Sequence, residues 1–196
     1  MSGVGREASV ERQTGETRVR VRFGLDTGPA GNSATGLAAL DHLLDQLRKH
    51  GRFTLEVEAR GDLEIDPHHL VEDVGITIGQ ALHRALGDRA GIERYASPTV
   101  PMDEALVQVI VDVSGRALLV YDPAPVGGGV GAVTGYHVRE FLRGLAGAAG
   151  LTMHVRMLSI GDPHHTVECT FKAVARALRE AVRLTGEGVP STKGRL

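Results

Sequence analysis

The chain is poor in several residue types. Among its 196 residues there is one cysteine, Cys169, and no tryptophan. A single cysteine excludes an internal disulfide framework and any zinc site built on several thiolates. Four phenylalanines and three tyrosines leave few rings on which bases could stack. Charge of one sign is missing too: 22 Lys and Arg stand against 24 Asp and Glu, a formal net charge of −2. That balance excludes the strongly basic footprint of a nucleic-acid-binding protein and a polybasic membrane surface. No apolar run approaches the roughly 18 residues of a membrane span. The opening MSGVGREASVER lacks the apolar segment of a secretion signal. A cytoplasmic protein without nucleic-acid or membrane partners is expected. The hydrophobic fraction of 42% and charged fraction of 23% read as an ordinary globular chain. Its length fits one large domain or two small ones.

What the chain does have is a repeat. Asp66-Pro67-His68-His69-Leu70-Val71-Glu72 returns as Asp162-Pro163-His164-His165-Thr166-Val167-Glu168, 96 residues later and identical at six of seven positions. Each copy opens a stretch with apolar residues three and four apart, the stripe of an amphipathic helix. These are Val74, Ile78, Leu82 and Leu86 in one, and Phe171, Val174 and Leu178 in the other. Each copy follows a strand-like alternation, Phe53, Leu55, Val57, Ala59 and then Leu151, Met153, Val155, Met157. Ahead of each strand a further helix is predicted, over 36–50 with Gly51 as its C′ stop and over 135–149 ending at Gly150. Thr17–Leu25 alternates as a strand, with Arg18, Arg20 and Arg22 on a solvated or interface face. Leu106–Ser114 and Ala117–Tyr121 are predicted to pair as a hairpin across Ser114-Gly115-Arg116. Residues 122–132, with Gly127-Gly128-Gly129, read as a loop. The fold class expected is α+β: two pseudo-repeated halves, each with strands packed on helices. A flexible 1–11 would precede one domain of two repeats, about 12–98 and 99–185, with a polar tail from 186 to 196.

Pro67 and Pro163 suit a first helical turn, with Asp66 and Asp162 as N-caps. The histidine pairs then sit in that turn, and His68 and Glu72, four apart, share a face. Adjacent histidines point about 100° apart on a helix. One pair therefore reaches two ions, or an ion and a substrate, rather than chelating one ion with both rings. Imidazole and carboxylate together suit Zn, Mn or Fe. His42, in Leu40-Asp41-His42-Leu43-Leu44, is a further candidate donor. His50, His83 and His154 read as surface or structural. Duplicated halves tend to hold their motifs apart, so a site shared between subunits of a closed oligomer is expected.

Other segments complete a pattern. They run in order: Arg12-Gln13-Thr14-Gly15-Glu16-Thr17, Thr35-Gly36-Leu37, Leu40-Asp41-His42-Leu43-Leu44-Asp45-Gln46-Leu47, and Gly61-Asp62-Leu63 through Asp73. Then come Gly91-Ile92-Glu93-Arg94-Tyr95, Val100 through Leu106, Asp112 through Arg116, Phe171-Lys172-Ala173 and Val189 through Gly194. Each is weak alone, but their ordered sum is specific. From Arg12 to Leu196 the chain resembles the imidazoleglycerol-phosphate dehydratase family. The resemblance implies a ribosomal protein S5 domain 2-like fold. It implies dehydration of imidazole glycerol phosphate to imidazole acetol phosphate in histidine biosynthesis. It also implies a homo-oligomer of twenty-four subunits with two Mn²⁺ per active site held between neighbouring chains. The matching metal ligands are His42, His68, His69, Glu72, His164, His165 and Glu168. Arg94, Arg116, Lys172, Ser191 and Lys193 match the phosphate pocket, and Gln46 the neighbourhood of the substrate. Glu16 matches the acid–base carboxylate, acting with His42, His69, Glu72, His165 and Glu168.

The chemistry suits those residue types. An imidazole bound by metal at both nitrogens can become an imidazolate, which then expels the neighbouring hydroxyl. A carboxylate such as Glu16 can transfer the protons. The cationic side chains hold the phosphate and so fix orientation. Two features depart from the family: the loop Asp26-Thr27-Gly28-Pro29 lacks the usual glycine spacing, and Glu140, which pairs across the repeat with His42, stands where a histidine ligand is usual. Glu140 is expected to bind the metal in its place, with His137 one turn earlier as the alternative. A divergent paralog acting on another azole phosphate is the alternative function. A non-catalytic metal-binding assembly would need no phosphate pocket, and a metal-dependent hydrolase would activate water instead.

Overall fold

The structure, a computed structural model, describes residues 5–123, 127–194 and 196. The first half runs β1 (Glu7–Gln13), β2 (Thr17–Gly24), β3 (Ser33–Ala34), α1 (Ala38–Gly51), β4 (Thr54–Gly61) and α2 (His68–Leu86). The second runs β5 (Tyr95–Ala96), β6 (Thr99–Met102), β7 (Ala105–Asp112), β8 (Leu118–Asp122), β9 (Gly129–Val130), β10 (Val133–Thr134), α3 (Gly135–Ala149), β11 (Thr152–Ser159) and α4 (Pro163–Ala181). The α+β class and the two related halves are as expected. Of the stretch 1–11 expected to be flexible, residues 7–11 lie in β1, because Val10 is buried and the strand pairs with β2 along its length.

One sheet has the order β1-β2-β4-β3, and the other β5-β7-β11-β8 with β6 also on β7. In both, the last strand is parallel to its neighbour: β3 to β4, and β8 to β11. The predicted hairpin of β7 with β8 is not formed. β11 lies between them, antiparallel to β7 and parallel to β8. Alternation identifies a strand but not its neighbour, and β11 buries Met153 and Val155 in the sheet centre. The turn at Ser114–Arg116 is real: Ser114 Oγ accepts from the Arg116 N–H at 3.1 Å. It leads across the sheet end instead of back along β7. Of the loop expected over 122–132, residues 124–126 lie outside the described residues, while β9 and β10 pair as a short hairpin.

Arg18, Arg20 and Arg22 do face solvent on β2, paired with Glu11, Glu7 and Glu56. Helix α3 has the predicted limits, with Gly150 left-handed behind it at φ 69°. Helix α1 starts two residues later and ends one residue later than expected. Arg52 is its left-handed cap at φ 56°, not Gly51. Gly51 lacks a side chain for another reason: a Cβ there would lie 2.3 Å from the Phe53 ring. Asp162 caps α4 by accepting from the His164 and His165 N–H groups. α2 starts one residue later than its counterpart: Pro67 is its N-cap instead of Asp66, whose carboxylate accepts from the His68 N–H at 2.7 Å.

The helices pair across the halves. α2 packs chiefly on α3, and α1 on α4, over one apolar core that runs through both halves. The α2–α3 approach is the closer. A Cβ on Gly75 would lie 2.3 Å from the Phe141 carbonyl oxygen, and one on Gly79 would lie 2.5 Å from that of Leu145. Each motif helix thus meets the leading helix of the other half. No helix of the described residues is long and apolar enough to cross a membrane.

Candidate metal and phosphate sites

The second copy of the motif meets α1. Thr35 anchors the start of α1 by donating its N–H and hydroxyl to Asp41 Oδ1, at 2.9 and 2.8 Å. His42, next in sequence, then reaches α4. Its Nε2 lies 2.8 Å from Glu168 Oε2, and His164 Nε2 lies 3.2 Å from the same oxygen. The ligand atoms of His42, His164 and Glu168 all fall within 4.8 Å of one another. Lys172, one turn on, donates to Glu168 Oε1 at 2.7 Å. Burial alone would raise the Glu168 pKa, but Lys172 and His42 override it and bring the carboxyl from about 4.5 to about 2. Gln46 lies one turn beyond His42 on α1, half-buried.

The first copy meets α3. His68 Nε2 is 3.8 Å from Glu72 Oε2, so the expected shared face is there. Yet Glu72 Oε1 accepts from Arg143, and the same guanidinium donates its Nε to Glu140 Oε2 at 2.6 Å. Glu140 holds the position on α3 that His42 holds on α1, and its side chain is only 7% exposed. It faces Arg143, which it shares with Glu72, and among the described residues it forms no group with His68 and Glu72 close enough to hold one ion. His137 is not a donor here. Its Nδ1 accepts from the Thr134 N–H at 3.1 Å, closing a capping box at the start of α3, and burial lowers its pKa. Tyr136 stacks on His68, with centroids 5.8 Å apart.

The other two histidines point elsewhere, as the helix geometry requires. His69 Nδ1 lies 2.9 Å from Asp62 Oδ2 and 3.8 Å from Glu16 Oε2. His165 Nδ1 lies 3.1 Å from Glu104 Oε2, with Asp103 3.8 Å from its Nε2. Each contact favours the protonated ring and raises the histidine pKa, chiefly through Asp62 for His69 and through Glu104 for His165. The Asp162 backbone N–H and His165 hold the Glu104 carboxyl near pKa 2. Glu16 itself is exposed in the β1–β2 turn. No hydrogen bond or ion pair among the described residues joins the His68/Glu72 set to the His42/His164/Glu168 set.

Four of the five residues matched to phosphate binding gather in one groove of about 640 Å³, lined by Arg94, Arg116, Ser191 and Lys193 together with Tyr95 and Thr192. Arg94 is fixed by Asp112 Oδ1 at 2.8 Å and by the Pro190 carbonyl at 2.7 Å, which also ties down the tail. Asp112 raises the Arg94 pKa. Arg116 is 68% exposed, with its guanidinium 3.7 Å from Asp112 Oδ2. Lys172 does not line this groove. It stands on α4 against Glu168, because an (i, i+4) contact places it there. Arg143, Asp62, Glu104 and Asp112 were not singled out from the sequence. Asp62, Glu104 and Asp112 lie inside the quoted motifs, but no local spacing ties them to a histidine or an arginine that only the fold brings near.

A family model described as imidazoleglycerol-phosphate dehydratase matches residues 35–178. An imidazoleglycerol-phosphate dehydratase of Thermus thermophilus is 61% identical over 191 residues, 96% of this chain and 98% of its own. The chain belongs to the imidazoleglycerol-phosphate dehydratase family. Membership makes it an enzyme of the lyase class. The family member of Deinococcus radiodurans is 53% identical over 97% of this chain and 99% of its own. The crystal structure of imidazoleglycerol-phosphate dehydratase from Staphylococcus aureus superposes with a TM-score of 0.81 at 34% identity, covering 91% of this chain and 99% of its own. The dehydratase structure from Pyrococcus furiosus gives 0.83 at 35% identity, covering 95% and 100%.

Proposed function

We propose that the protein dehydrates imidazole glycerol phosphate to imidazole acetol phosphate in cytoplasmic histidine biosynthesis, with two Mn²⁺ per active site. The observation that carries the metal dependence is the convergence of His42, His164 and Glu168 on one point within 4.8 Å. Two neutral nitrogens and one carboxylate, with no thiolate, fit a borderline-hard ion such as manganese. His68 and Glu72, with Glu140 released from Arg143, would supply the second set. His69 and His165 would add donors through their Nε2 atoms. Ions so held supply positive charge beside the substrate imidazole, which makes its proton easier to remove.

The chain's own residues do the remainder. Glu16, exposed and 3.8 Å from His69 Nδ1, holds or takes a substrate proton at its carboxylate. Arg94, already oriented by Asp112, donates to the phosphate, and the exposed Arg116 and Lys193 close on it. Anchoring the phosphate in the groove fixes the reacting carbon relative to Glu16. The donor sets and the groove are separate within one subunit, so the complete site is built between copies, in an assembly of twenty-four subunits. Lys172 would join the phosphate from a neighbouring copy.

The test is turnover of imidazole glycerol phosphate by purified protein, followed by product formation, before and after chelation and on adding Mn²⁺ back, with native mass spectrometry alongside. Turnover that vanishes on chelation and returns with manganese is the expected result. Turnover indifferent to chelation would overturn the metal requirement. An inert protein with metal bound and the assembly intact would overturn the substrate.

A further inference from the structure

His69 and His165 share an arrangement that the repeat does not dictate. Each ring presents Nδ1 to a carboxylate, and the two carboxylates come from unrelated places in the fold. For His69 it is Asp62, in the loop after β4. For His165 it is Glu104, in the β6–β7 turn. The first half therefore uses a residue just upstream of its motif, and the second reaches over from the neighbouring strand turn. The sequence makes room for that reach at Gly161: a Cβ there would lie 2.1 Å from Glu104 Oε1 and 2.2 Å from its Cγ. The Asp162 backbone N–H then donates to the same Oε1 at 2.5 Å.

Asp62 is the more telling of the two. Its side chain is 13% exposed, and its buried Oδ1 has no hydrogen-bond partner. A carboxylate buried at that cost to brace the loop would use both oxygens. Among the described residues, its one side-chain hydrogen bond is to His69 Nδ1, through Oδ2. A histidine ligand whose Nδ1–H is held by a carboxylate has its tautomer fixed, its ring oriented and its Nε2 made more basic.

We infer that Asp62 and Glu104 are positioning residues that hold His69 and His165 as Nδ1–H tautomers with Nε2 presented to a divalent cation. This rests on the proposed ligand role of the two histidines. Two routes to the same contact, one of which needs a glycine to admit it, point to a demand of the site rather than of the local chain.

The experiment measures Mn²⁺ binding to the full-length protein by the EPR signal of free Mn²⁺. The variants are Asp62→Asn, Glu104→Gln, Gly161→Ala and His69→Ala, with the Asp62→Asn/His69→Ala double variant. Asp62→Asn and Glu104→Gln are expected to weaken binding by about 10- to 100-fold while leaving the urea midpoint unchanged. Gly161→Ala should weaken it likewise by displacing the Glu104 carboxylate. In the His69→Ala background, Asp62→Asn should add no further loss. If His69→Ala weakens binding but Asp62→Asn does not, the positioning role is overturned and the ligand reading stands. If His69→Ala leaves binding unchanged, both fall. If Asp62→Asn weakens binding equally with and without His69, its effect is structural and the inference is overturned.

Discussion

Glu72 and Glu168 close the same seven-residue segment, and each needs a cation nearby because each is largely withdrawn from water. Glu168 receives two imidazoles, His164 from its own helix and His42 from α1, and its cation is Lys172, one turn along the same helix. Glu72 has one imidazole at longer range, and its cation is Arg143, delivered by the facing helix α3 and shared with Glu140. At the position after Glu72 where Lys172 would correspond, the chain has Ile76. At the position on α1 corresponding to Arg143 it has Asp45. The compensating charge has thus moved from the motif helix to its partner between one half and the other. Identical local segments acquire different electrostatic surroundings, because the partner of each is set by helix pairing across the halves.

The backbone differs in the same way. α2 carries Gly75 and Gly79 where α4 carries Phe171 and Ala175. The glycines let α3 approach until carbonyl oxygens occupy the space of a side chain. α4 uses Phe171 instead, packed against Phe141 at 5.2 Å between ring centroids.

The largest effect that would break this comparison is at the better-formed donor set. Glu168→Ala should reduce kcat/KM by about 10³-fold, since metal stabilisation is worth several kcal/mol. Manganese stoichiometry and assembly size should fall together, and a variant keeping both intact would refute the shared-interface site. Next is Gly75→Ala, expected to destabilise by about 2 kcal/mol through overpacking of α2 on α3. The reverse change on the other motif helix, Ala175→Gly, should cost only about 1 kcal/mol, from helix propensity. Urea unfolding of the two variants reads that asymmetry, and equal losses would mean the α2–α3 approach is not tight.

Smaller again is Arg143→Met. If Glu72 and Glu140 hold an ion as proposed, two partly exposed ion pairs would have to open first, so removing Arg143 should tighten Mn²⁺ binding about three- to tenfold. Weaker binding would show that Arg143 shapes the carboxylates instead of standing in the cation's place. The smallest effect is in pH. The Glu168 carboxyl sits at about 2, below its ordinary value of about 4.5, so its contribution to folding is present above pH 4.5 and fades as the pH falls toward 2. Metal-free wild type should therefore lose more stability over that interval than Glu168→Gln, as thermal unfolding at stepped pH would show. Parallel losses would place the stabilising interaction elsewhere.

Much of this was legible in the residues. Periodicity of three and four located α2, α3 and α4, since an amphipathic stripe is a property of the segment itself. The duplicated Asp-Pro-His-His segment marked both proposed donor sets, and the 100° turn between adjacent residues separated His68 from His69 and His164 from His165. Strand partners were not legible. β11 inserts between β7 and β8 because burial of Met153 and Val155 is satisfied at the sheet centre, a non-local outcome. Nor was the reason for Gly51, which yields to a ring two residues on.

The sequence by itself determined the fold class, the duplication and the chemical nature of the proposed donors, because these depend on residue type and on spacing along one element. The tertiary structure decided which donors meet. His42 with Glu168, Arg143 with Glu72 and Glu104 with His165 are separated by 126, 71 and 61 residues. Contacts at such separations are fixed by helix pairing and sheet order, where burial of the common core outweighs any local preference.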